Sequence, residues 1–281
     1  MGGCCSNDST NVKDGKKNIL PQGEKEKEKK IEKDEEKDVN TEEENIKFKQ
    51  EKSIKKIKID EKNGIKIQNP DITLEVIHVN IIDSTMPASR NYIDDGNKLP
   101  FLYNADIQTH GKGKGARNWA GTIQGNLYTS TCIPKNMIKN ELNDNDTLVK
   151  ITALSIYEQI VKYAKNEFFL KYPNDIICKD KKKLGGILVE DYKDFAIIGF
   201  GINIVDKPQT VRKGGLPACF IKEHIPQGMD IPNPVDLSIE ITKNIFFNLN
   251  LSSEEISKLF DKYIKFLISY TLLFRVKLYI F

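Results

Sequence analysis

The sequence predicts an α+β fold in which helices flank a mixed β-sheet. Apolar, β-branched segments bounded by turn residues alternate with segments in which apolar residues recur every three or four positions, a pattern typical of strands interspersed with helices. Short Gly- or Lys-rich turns connect some of the predicted strands and indicate hairpins, whereas whole helices separate others and indicate crossovers. Both kinds of connection together predict a sheet with parallel and antiparallel pairs.

The predicted elements follow one another from residue 73 onwards. They are strands at 73–82, 100–108, 125–133 and 195–205, a short helix after 83–85, a helix from Asp146 or Thr147 to 165, and helices at 234–249 and 252–268. The carboxylate of Asp and the hydroxyls of Ser and Thr cap helix N-termini. The simplest interpretation of Ser84 and Thr85 is therefore that they cap the short helix.

The 281 residues differ in composition between the two ends. Residues 1–65 are dominated by Lys, Glu, Asp and Asn, so they cannot bury enough apolar surface to offset the entropy of ordering and are predicted to be disordered. Within this segment, residues 23–62 are interpreted as a solvated spacer. Residues 66–270 are predicted to form the folded domain, and 271–281 a final β-like run.

Charge and cysteine content narrow the functional classes. A formal net charge of +3 is too small to indicate a nucleic-acid partner. The five cysteines and three histidines are scattered without zinc-like spacing in the folded part, so no metal site is predicted and Cys178 is interpreted as ordinary strand packing. An odd cysteine count favours a reducing, cytoplasmic compartment, and no 18-residue apolar run is available to span a bilayer.

The first six residues fit the N-myristoylation pattern M-G-x-x-x-[ST]. Gly2 is the acceptor in that pattern, and palmitate on Cys4 or Cys5 would supply the second anchor that stable attachment to a membrane surface requires. A chance Met-Gly start with unremarkable thiols is the alternative. An apolar signal-peptide core is absent, so secretion is not expected.

A loop of alternating Gly and Lys follows the strand at 100–108. Its glycines, Gly111, Gly113 and Gly115, allow backbone N–H groups to approach a ligand, and Lys112 and Lys114 neutralise negative charge. This chemistry suits phosphate, although a flexible linker has a similar composition. The single Trp of the chain, Trp119, ends the loop and favours a pocket, while His110 is interpreted as a hydrogen-bonding residue before the loop.

The stretch 171–190 gathers charged and small residues beside two predicted strands. A Tyr-Pro-Asn-Asp turn ends at Asn174 and Asp175, a basic hairpin loop leads to Lys183, and Gly185-Gly186 opens the next strand. These groups suit an anionic ligand held against backbone, with Asp175 able to bind a divalent cation or orient a polar group. Lys179, Lys181 and Lys182 are interpreted as solvated loop charges.

The strand at 195–205 is interrupted by Gly199 and Gly201 and ends near Asn203. Glycine within a strand marks close approach by a ligand or another backbone, or else a bulge. Because sites on sheets form where strands end, this segment is expected near the two loops described above.

Five motifs in order resemble those of the biotin protein ligases, also called holocarboxylase synthetases. They are 83–85 (DST), 108–119 (QTHGKGKGARNW), 171–175 (KYPND), 183–187 (KLGGI) and 199–203 (GFGIN). The resemblance covers about 74–270 and implies the class II synthetase-like catalytic domain of biotin and lipoate protein ligases. It also implies a small C-terminal β-barrel, of which 271–281 would be a remnant or first strand. The N-terminal DNA-binding domain of repressor-type members is not expected here, because the acylation pattern and the charged spacer take its place.

The resemblance implies a ligase that uses biotin and Mg-ATP, forms biotinyl-5′-AMP, and transfers biotin to a lysine of a carboxylase's biotin carrier domain. The implied substrate-binding residues hold the biotin head group, cover the adenylate or contact the nucleotide: Ser84, Thr85, Gln108, Gly111, Lys112, Gly113, Gly115, Trp119, Asn174, Gly185, Gly186 and Asn203. Lys183, Asp175 and Lys114 are the implied catalytic residues, with Lys183 stabilising charge at the α-phosphate and carboxyl oxygen.

One departure from the family concerns the loop, which usually carries Arg where Lys112 and Lys114 stand. An ammonium cannot clamp a phosphate bidentately as a guanidinium does, so a leakier adenylate is expected. A lipoyl ligase and a lipid-anchored, non-catalytic binding module are the alternative functions. The acceptor carboxylase and the oligomeric state stay open.

Overall fold

The computed structural model describes residues 51–59, 61–62, 65–66, 72–115, 117–209 and 215–264, with only the backbone at 61–62 and 65–66. The predicted acylation site at Gly2, Cys4 and Cys5 and the β-like run at 271–281 therefore lie outside the described residues. Within the described residues, no helix combines the length and apolar character needed to cross a membrane.

Eight strands form one sheet in the order β1-β4-β5-β6-β10-β9-β8-β7. Their bounds are β1 Lys52–Ile59, β4 Ile72–Ile82, β5 Phe101–Gln108, β6 Leu127–Pro134, β7 Phe168–Lys171, β8 Asp175–Cys178, β9 Lys183–Tyr192 and β10 Phe195–Ile202, while β2 Glu61–Lys62 and β3 Ile65–Lys66 form a separate pair. β4 and β5 are parallel and the other neighbours antiparallel. The predicted mixed sheet is confirmed.

The sheet begins earlier in the chain than the predicted boundary at residue 65. β1 pairs along its whole length with β4, from Lys52 opposite Val79 to Ile59 opposite Ile72. Only Ile59 of this strand is buried. Because its other side chains need no apolar character, the composition of the strand resembles that of the charged spacer and gave no indication of an ordered element. Lysines on an edge strand also discourage pairing with another chain.

Four helices cover the two faces of the sheet. They are α1 Thr85–Asp94, α2 Asn145–Ile160, α3 Pro234–Asn248 and α4, which the structure describes over 253–264. Successive residues of a strand point to opposite faces, and accordingly Phe101 joins an apolar cluster with Met86 and Ile93 of α1, whereas Leu102 joins the larger cluster containing residues of α2 and α3. The predicted flanking helices are confirmed.

Helix α2 starts and ends slightly earlier than predicted. Its N-cap is Asp144, whose carboxylate accepts hydrogen bonds from the backbone N–H groups of Asp146 and Thr147. The helix ends at Ile160 rather than 165. Two acidic residues lie close together here, and the extended backbone of Asp144 decides which of them caps.

The interpretation of Cys178 as ordinary packing is wrong, because Cys178 is joined by a disulfide to Cys219. The two residues are 41 positions apart, and Cys219 lies in a loop segment that the fold brings beside the β8–β9 hairpin, where Cys219 N–H donates to the carbonyl of Lys183. Sequence spacing carried no sign of this pairing.

Candidate active site

The N-terminus of α1 meets the end of β5 at a buried polar cluster. The N–H of Thr85 donates to Oε1 of Gln108 at 2.7 Å, and the hydroxyl of Ser130 donates to Oγ1 of Thr85 at 2.8 Å. Gln108 therefore satisfies a helix N-terminal donor that has no partner within the helix. This network fixes Thr85 and Gln108, both of which line a cleft.

Ser84 occupies the N-cap position of α1 without capping it. Its side chain makes no cap hydrogen bond, and its Oγ is buried with no hydrogen-bond partner among the described residues. A buried hydroxyl without a hydrogen-bond partner destabilises the folded state, so it is rare unless it has a functional role. Since Ser84 lines the cleft, a bound polar group can supply the partner.

The basic loop folds back on itself as a small hairpin. Lys112 and Asn118 form an antiparallel bridge, Gly113 N–H donates to the carbonyl of Arg117 at 2.8 Å, and Arg117 Nε–H donates to the carbonyl of Lys114 at 2.6 Å. At the tip, Gly115 has a φ of +68°, a conformation that favours glycine. The loop is thus a built structure rather than the linker that the composition also allowed.

The base of the loop is tied to the chain before α1. Thr109 Oγ1 donates to Oδ1 of Asp83 at 2.7 Å, and the ring Nδ1 of His110 lies 3.2 Å from the same oxygen. These hydrogen bonds, the one from Thr109 first, hold the pKa of Asp83 below its usual value. The interpretation of His110 as a hydrogen-bonding residue is confirmed.

Trp119 packs its ring edge against glycine positions of the central sheet. A Cβ on Gly201 would lie 2.5 Å from Trp119 Nε1, and one on Gly186 would lie 3.2 Å from Cζ3 of the same ring. Any larger residue at Gly201 would displace the ring. The indole Nε1 is buried without a hydrogen-bond partner among the described residues, which makes it a second polar atom available to a ligand.

Lys183 lines the cleft, and its ammonium group is held in place by an ion pair. Its Nζ lies 2.7 Å from Oδ1 of Asp175 and 5.3 Å from the centre of the Trp119 ring. Lys171 Nζ lies 3.3 Å from the other oxygen of Asp175. The carboxylate is thus bracketed by two ammonium groups, and it orients Lys183 towards the aromatic wall.

Asn174 joins the turn before β8 to strand β9. Its Nδ2 donates to the carbonyl of Ile187 at 2.9 Å, and its own carbonyl accepts from Ile187 N–H at 3.0 Å. These two bonds place the side chain at the cleft wall opposite the basic loop.

These elements enclose one cleft with an internal volume of about 640 Å³, including its open part. The described residues that line it are Ser84, Thr85, Met86, Gln108, Lys112, Gly113, Lys114, Arg117, Asn118, Trp119, Thr129, Asn174, Lys183, Gly186, Ile187, Leu188, Gly199, Phe200 and Gly201. The lining contains four cationic side chains and, within this described set, no carboxylate. Such a lining attracts an anion.

A second cleft shares part of this wall. Lys114, Asn174, Ile187 and Leu188 line both, and the second cleft extends towards Asp146 and Tyr172 at the start of α2 and the end of β7. The basic loop tip and the turn before β8 therefore separate two adjoining ligand-sized spaces.

The structure brings most of the predicted site residues together. Those that line the cleft are Ser84, Thr85, Gln108, Lys112, Gly113, Lys114, Trp119, Asn174, Lys183 and Gly186. Gly111 and Gly115 shape the loop, since a Cβ on Gly111 would meet the carbonyl of Trp119 at 2.6 Å. Asp175 acts on the cleft through Lys183. The individual binding roles stay predictions.

Two predicted contacts are placed elsewhere. Asn203 is outside the cleft lining, and its Nδ2 donates to the carbonyl of Cys219 at 2.9 Å, so it ties a loop to the sheet, and its contact with a nucleotide stays a prediction. Gly185 is needed for strand packing, because a Cβ there would lie 2.8 Å from the carbonyl of Gly201. For Gly185 this follows from strand alternation, since its neighbour Gly186 lines the cleft and successive residues face opposite sides.

Sequence reasoning missed several lining residues. Arg117 and Asn118 stand within the recognised loop but were not singled out, and Gly199 and Gly201 carried a signal of close approach that left a bulge equally open. Met86, Thr129 and Phe200 also line the cleft. They come from a helix and two strands and offer no local motif.

The described residues do not form a protein-held Mg²⁺ site in this cleft. Mg²⁺ prefers carboxylate and other oxygen ligands, yet the described lining has no carboxylate, and Asp175 already lies between two ammonium groups. The expectation that Asp175 binds a divalent cation is therefore not supported by its surroundings.

A mixed sheet with a basic glycine loop over a polar-floored cleft defines the catalytic domain class of biotin and lipoate ligases. Residues 81–203 match the model of the Biotin/lipoate A/B protein ligase family. The chain is 27% identical over 110 residues to the Biotin--[acetyl-CoA-carboxylase] ligase of Mycobacterium tuberculosis, covering 38% of this chain and 40% of that one. It is 26% identical over 125 residues to the human Biotin--protein ligase, covering 42% and 17%.

Solved structures share the fold. The biotin protein ligase of Leishmania major in complex with biotinyl-5-AMP matches with a TM-score of 0.60 and 28% identity, covering 67% of this chain and 81% of that one. The Aquifex aeolicus biotin protein ligase in complex with biotin and ATP matches with a TM-score of 0.55, and at 24% identity the likeness concerns the fold alone. The chain is thus similar to biotin protein ligases in sequence and shares their catalytic-domain fold. Its matched part spans less than half the length of the two curated relatives named above.

Proposed function

We propose that this chain is an ATP-dependent biotin protein ligase, which joins biotin to a lysine of a biotin carrier domain through biotinyl-5′-AMP. One observation carries the proposal. A single cleft combines a buried polar floor with an unpartnered hydroxyl at Ser84 and a rim of four cations. The polar floor suits biotin, and the cationic rim suits the nucleoside triphosphate ATP. The reaction needs these two substrates side by side.

The floor of the cleft suits the ureido head group of biotin. That group both donates and accepts hydrogen bonds, and the Ser84 hydroxyl, which can do either, has no partner among the described residues. Thr85 and Gln108 stand beside it and are held rigidly by their own hydrogen bonds. Rigid placement lowers the entropy lost when the ligand binds.

In the first step a biotin carboxylate oxygen attacks the α-phosphorus of ATP. The new bond is an acyl-phosphate anhydride, and the bond to the β-phosphate oxygen breaks, so pyrophosphate leaves with its electron pair. Negative charge grows on the equatorial oxygens as this happens. We assign its stabilisation to Lys183, because a fixed cation in a desolvated site acts without reorganising.

In the second step the neutral ε-amine of the acceptor lysine attacks the carbonyl carbon of the adenylate. An amide forms, AMP leaves with the electron pair of the broken anhydride bond, and the amine releases its proton to water. Lys183 again faces the developing oxyanion. Asp175 holds Lys183 in place with a 2.7 Å ion pair, so it acts as a positioning residue.

The basic loop would close over the adenylate. Lys112, Lys114 and Arg117 line the cleft from one hairpin. Excluding water protects the anhydride from hydrolysis. We propose that Mg²⁺ enters with ATP as the Mg-ATP substrate, since the described lining lacks a carboxylate to hold it.

Biotin-dependent exchange of pyrophosphate into ATP tests the first step without any acceptor. The proposal predicts exchange that requires biotin and falls sharply in Lys183→Ala. Exchange with lipoate alone would assign the chain to the lipoyl ligases, which the family name includes. Tight biotin binding without exchange would make it a non-catalytic binding module.

The acceptor follows from the relatives' names. One relative is named for acetyl-CoA carboxylase and another for protein in general, and we propose the carrier domain of such a carboxylase as the partner. The test is transfer of radiolabelled biotin to an isolated carrier domain and to the same domain with its central lysine replaced by Arg. Equal labelling of the two would contradict site-specific transfer.

We further propose that Gly2 is myristoylated and that Cys4 or Cys5 is palmitoylated, which would place the otherwise cytoplasmic enzyme at a membrane surface. The support is the residue pattern alone, M-G-x-x-x-S with adjacent cysteines. Metabolic labelling with a clickable myristate analogue tests it, with Gly2→Ala as the matched control. A wild-type chain that takes up no label would remove the proposal.

A further inference from the structure

Away from the cleft, two cysteines and a histidine meet at one point on the far side of the β8–β9 hairpin. The sulfurs of Cys178 and Cys219 and a ring nitrogen of His224 all lie within 4.8 Å of one another. Both cysteines are fully buried. Cys178 belongs to β8, Cys219 lies in a loop segment, and His224 follows a short 3-10 helix, Ile221–Glu223.

His224 is oriented in a way that a plain disulfide does not require. Its Nδ1 lies 3.4 Å from a carboxylate oxygen of Glu167, while its Nε2 is buried without a hydrogen-bond partner among the described residues. A histidine that binds a metal usually pairs its other ring nitrogen with a carboxylate, which fixes the tautomer and leaves the ligand nitrogen free. The Glu167–His224 pair has this arrangement.

We propose that Cys178, Cys219 and His224 bind a zinc ion when the two cysteines are reduced. Two thiolates and an imidazole form the donor set that zinc prefers, in tetrahedral geometry. Oε1 of Glu223 lies 3.7 Å from His224 Nε2 and is within reach of the fourth position. The site explains the unpartnered Nε2, for which the disulfide alone gives no role.

The disulfide is then the oxidised, metal-free form of the same pair. A phosphine or thiol reductant supplies two electrons, and two protons complete two thiols. Zinc binding displaces both thiol protons, because the thiolate is the ligand. The Cα atoms of the two cysteines are 6.8 Å apart, at the upper end of the disulfide range of about 4.4–6.8 Å. The disulfide and the zinc-bound form use the same two sulfurs, so they cannot be present together.

Both the disulfide and the proposed zinc site would fix the segment that supports Lys183. The backbone N–H of Lys183 donates to the carbonyl of Pro217 at 2.7 Å, and Cys219 N–H donates to the carbonyl of Lys183 at 2.9 Å. A link through Cys219 therefore holds the chain beside the first residue of β9. Zinc at this point would stabilise the base of the cleft wall without entering the cleft.

The test is a zinc titration of the full chain reduced with a phosphine. Cys4→Ser and Cys5→Ser remove thiols outside the described residues, and a colorimetric chelator competes for the metal. The expected result is one zinc per chain, with affinity lowered roughly 100-fold or more in His224→Gln and roughly 10- to 100-fold in Glu167→Gln. Cys132→Ala, which removes the other buried cysteine, should bind as the parent does.

Three outcomes overturn the proposal. The first is a reduced chain that takes up no zinc in competition with the chelator, and the second is unchanged affinity in His224→Gln. Oxidation of the two thiols by a diazene oxidant, which accepts two electrons and two protons, should release the metal, and retention would also contradict the site. Cobalt added to the reduced parent gives a second readout, because a thiolate-to-cobalt absorption band is expected without any variant. Circular dichroism confirms that each variant is folded.

Discussion

Lys183 Nζ lies 2.7 Å from Oδ1 of Asp175, and the pair stands beside the wall formed by Trp119. Lys183 is the first residue of β9 and Asp175 the first of β8. The hairpin that joins these strands therefore brings together a cation and its orienting carboxylate that are well separated in sequence. Four predictions follow from the arrangement of the cleft around this pair.

Lys183→Ala should lower the rate of biotin-dependent ATP–pyrophosphate exchange by roughly 100- to 1,000-fold, the loss typical of removing one preorganised stabiliser of transition-state charge. The matched control is Lys182→Ala, whose ammonium is paired with Asp180 away from the cleft. That control should exchange at the parent rate. A Lys183→Ala variant that retains most of the rate would contradict the assigned role.

Ser84→Ala should weaken biotin binding by roughly tenfold, or about 1.4 kcal/mol, because the ligand loses a buried hydrogen bond. The folded state should lose no stability, since the hydroxyl has no partner within the described protein. Isothermal titration and thermal unfolding measure the two effects separately.

Ser89→Ala is the contrasting variant for Ser84→Ala. Its hydroxyl is buried and donates to the carbonyl of Thr85 at 2.8 Å, so its removal should cost about 1 kcal/mol of stability and leave biotin affinity nearly unchanged. If Ser84→Ala instead destabilised the fold as much as Ser89→Ala and bound biotin normally, Ser84 would be a structural residue.

Gly201→Ala should displace Trp119 and weaken binding of both substrates. The added methyl would lie 2.5 Å from the indole Nε1, a distance that forces the ring to move. Since Trp119 is the only Trp of the chain, its fluorescence reports directly on this position. An unchanged emission spectrum in the variant would show that the ring does not rest on Gly201, and Trp119→Phe supplies the background signal.

Lys114→Arg should reduce escape of the activated biotin. A guanidinium can hold a phosphate with two parallel hydrogen bonds, whereas an ammonium acts as a point charge. The structure places Lys114 in the cleft lining at the loop tip, where it is also part of the neighbouring cleft. Biotinylation of an unrelated bulk protein measures the escape, and equal labelling by parent and variant would remove the explanation.

Much of the fold follows from local pattern. Strands β4, β5, β6 and β10, the flanking helices α1 to α3 and the basic loop were predicted near their observed positions, because strand alternation and helical periodicity are properties of neighbouring residues. β1 was missed for the same reason. Its stability comes from backbone pairing with β4 rather than from buried side chains, and only Ile59 of its residues is buried.

The candidate site was predictable where residues form contiguous motifs. Ser84-Thr85, the loop from Gly111 and the turn at Asn174-Asp175 were named from the sequence, and the structure brings them to one cleft. Asn203 follows a correctly placed strand but lies outside the cleft lining. The direction of its side chain, towards the carbonyl of Cys219, depends on a loop that pairs with the sheet from elsewhere.

The sequence by itself predicted the resemblance to biotin protein ligases, the mixed sheet and the chemistry of the loop residues, because each depends on residues that are neighbours in the chain. Only the tertiary structure decided which polar atoms lack partners and which distant residues meet. The ion pair between Asp175 and Lys183, the ring of Trp119 on Gly201, and the meeting of Cys178, Cys219 and His224 all depend on strand pairing and loop docking. Hydrogen-bond satisfaction and ligand geometry are properties of packed atoms, and linear spacing does not encode them directly.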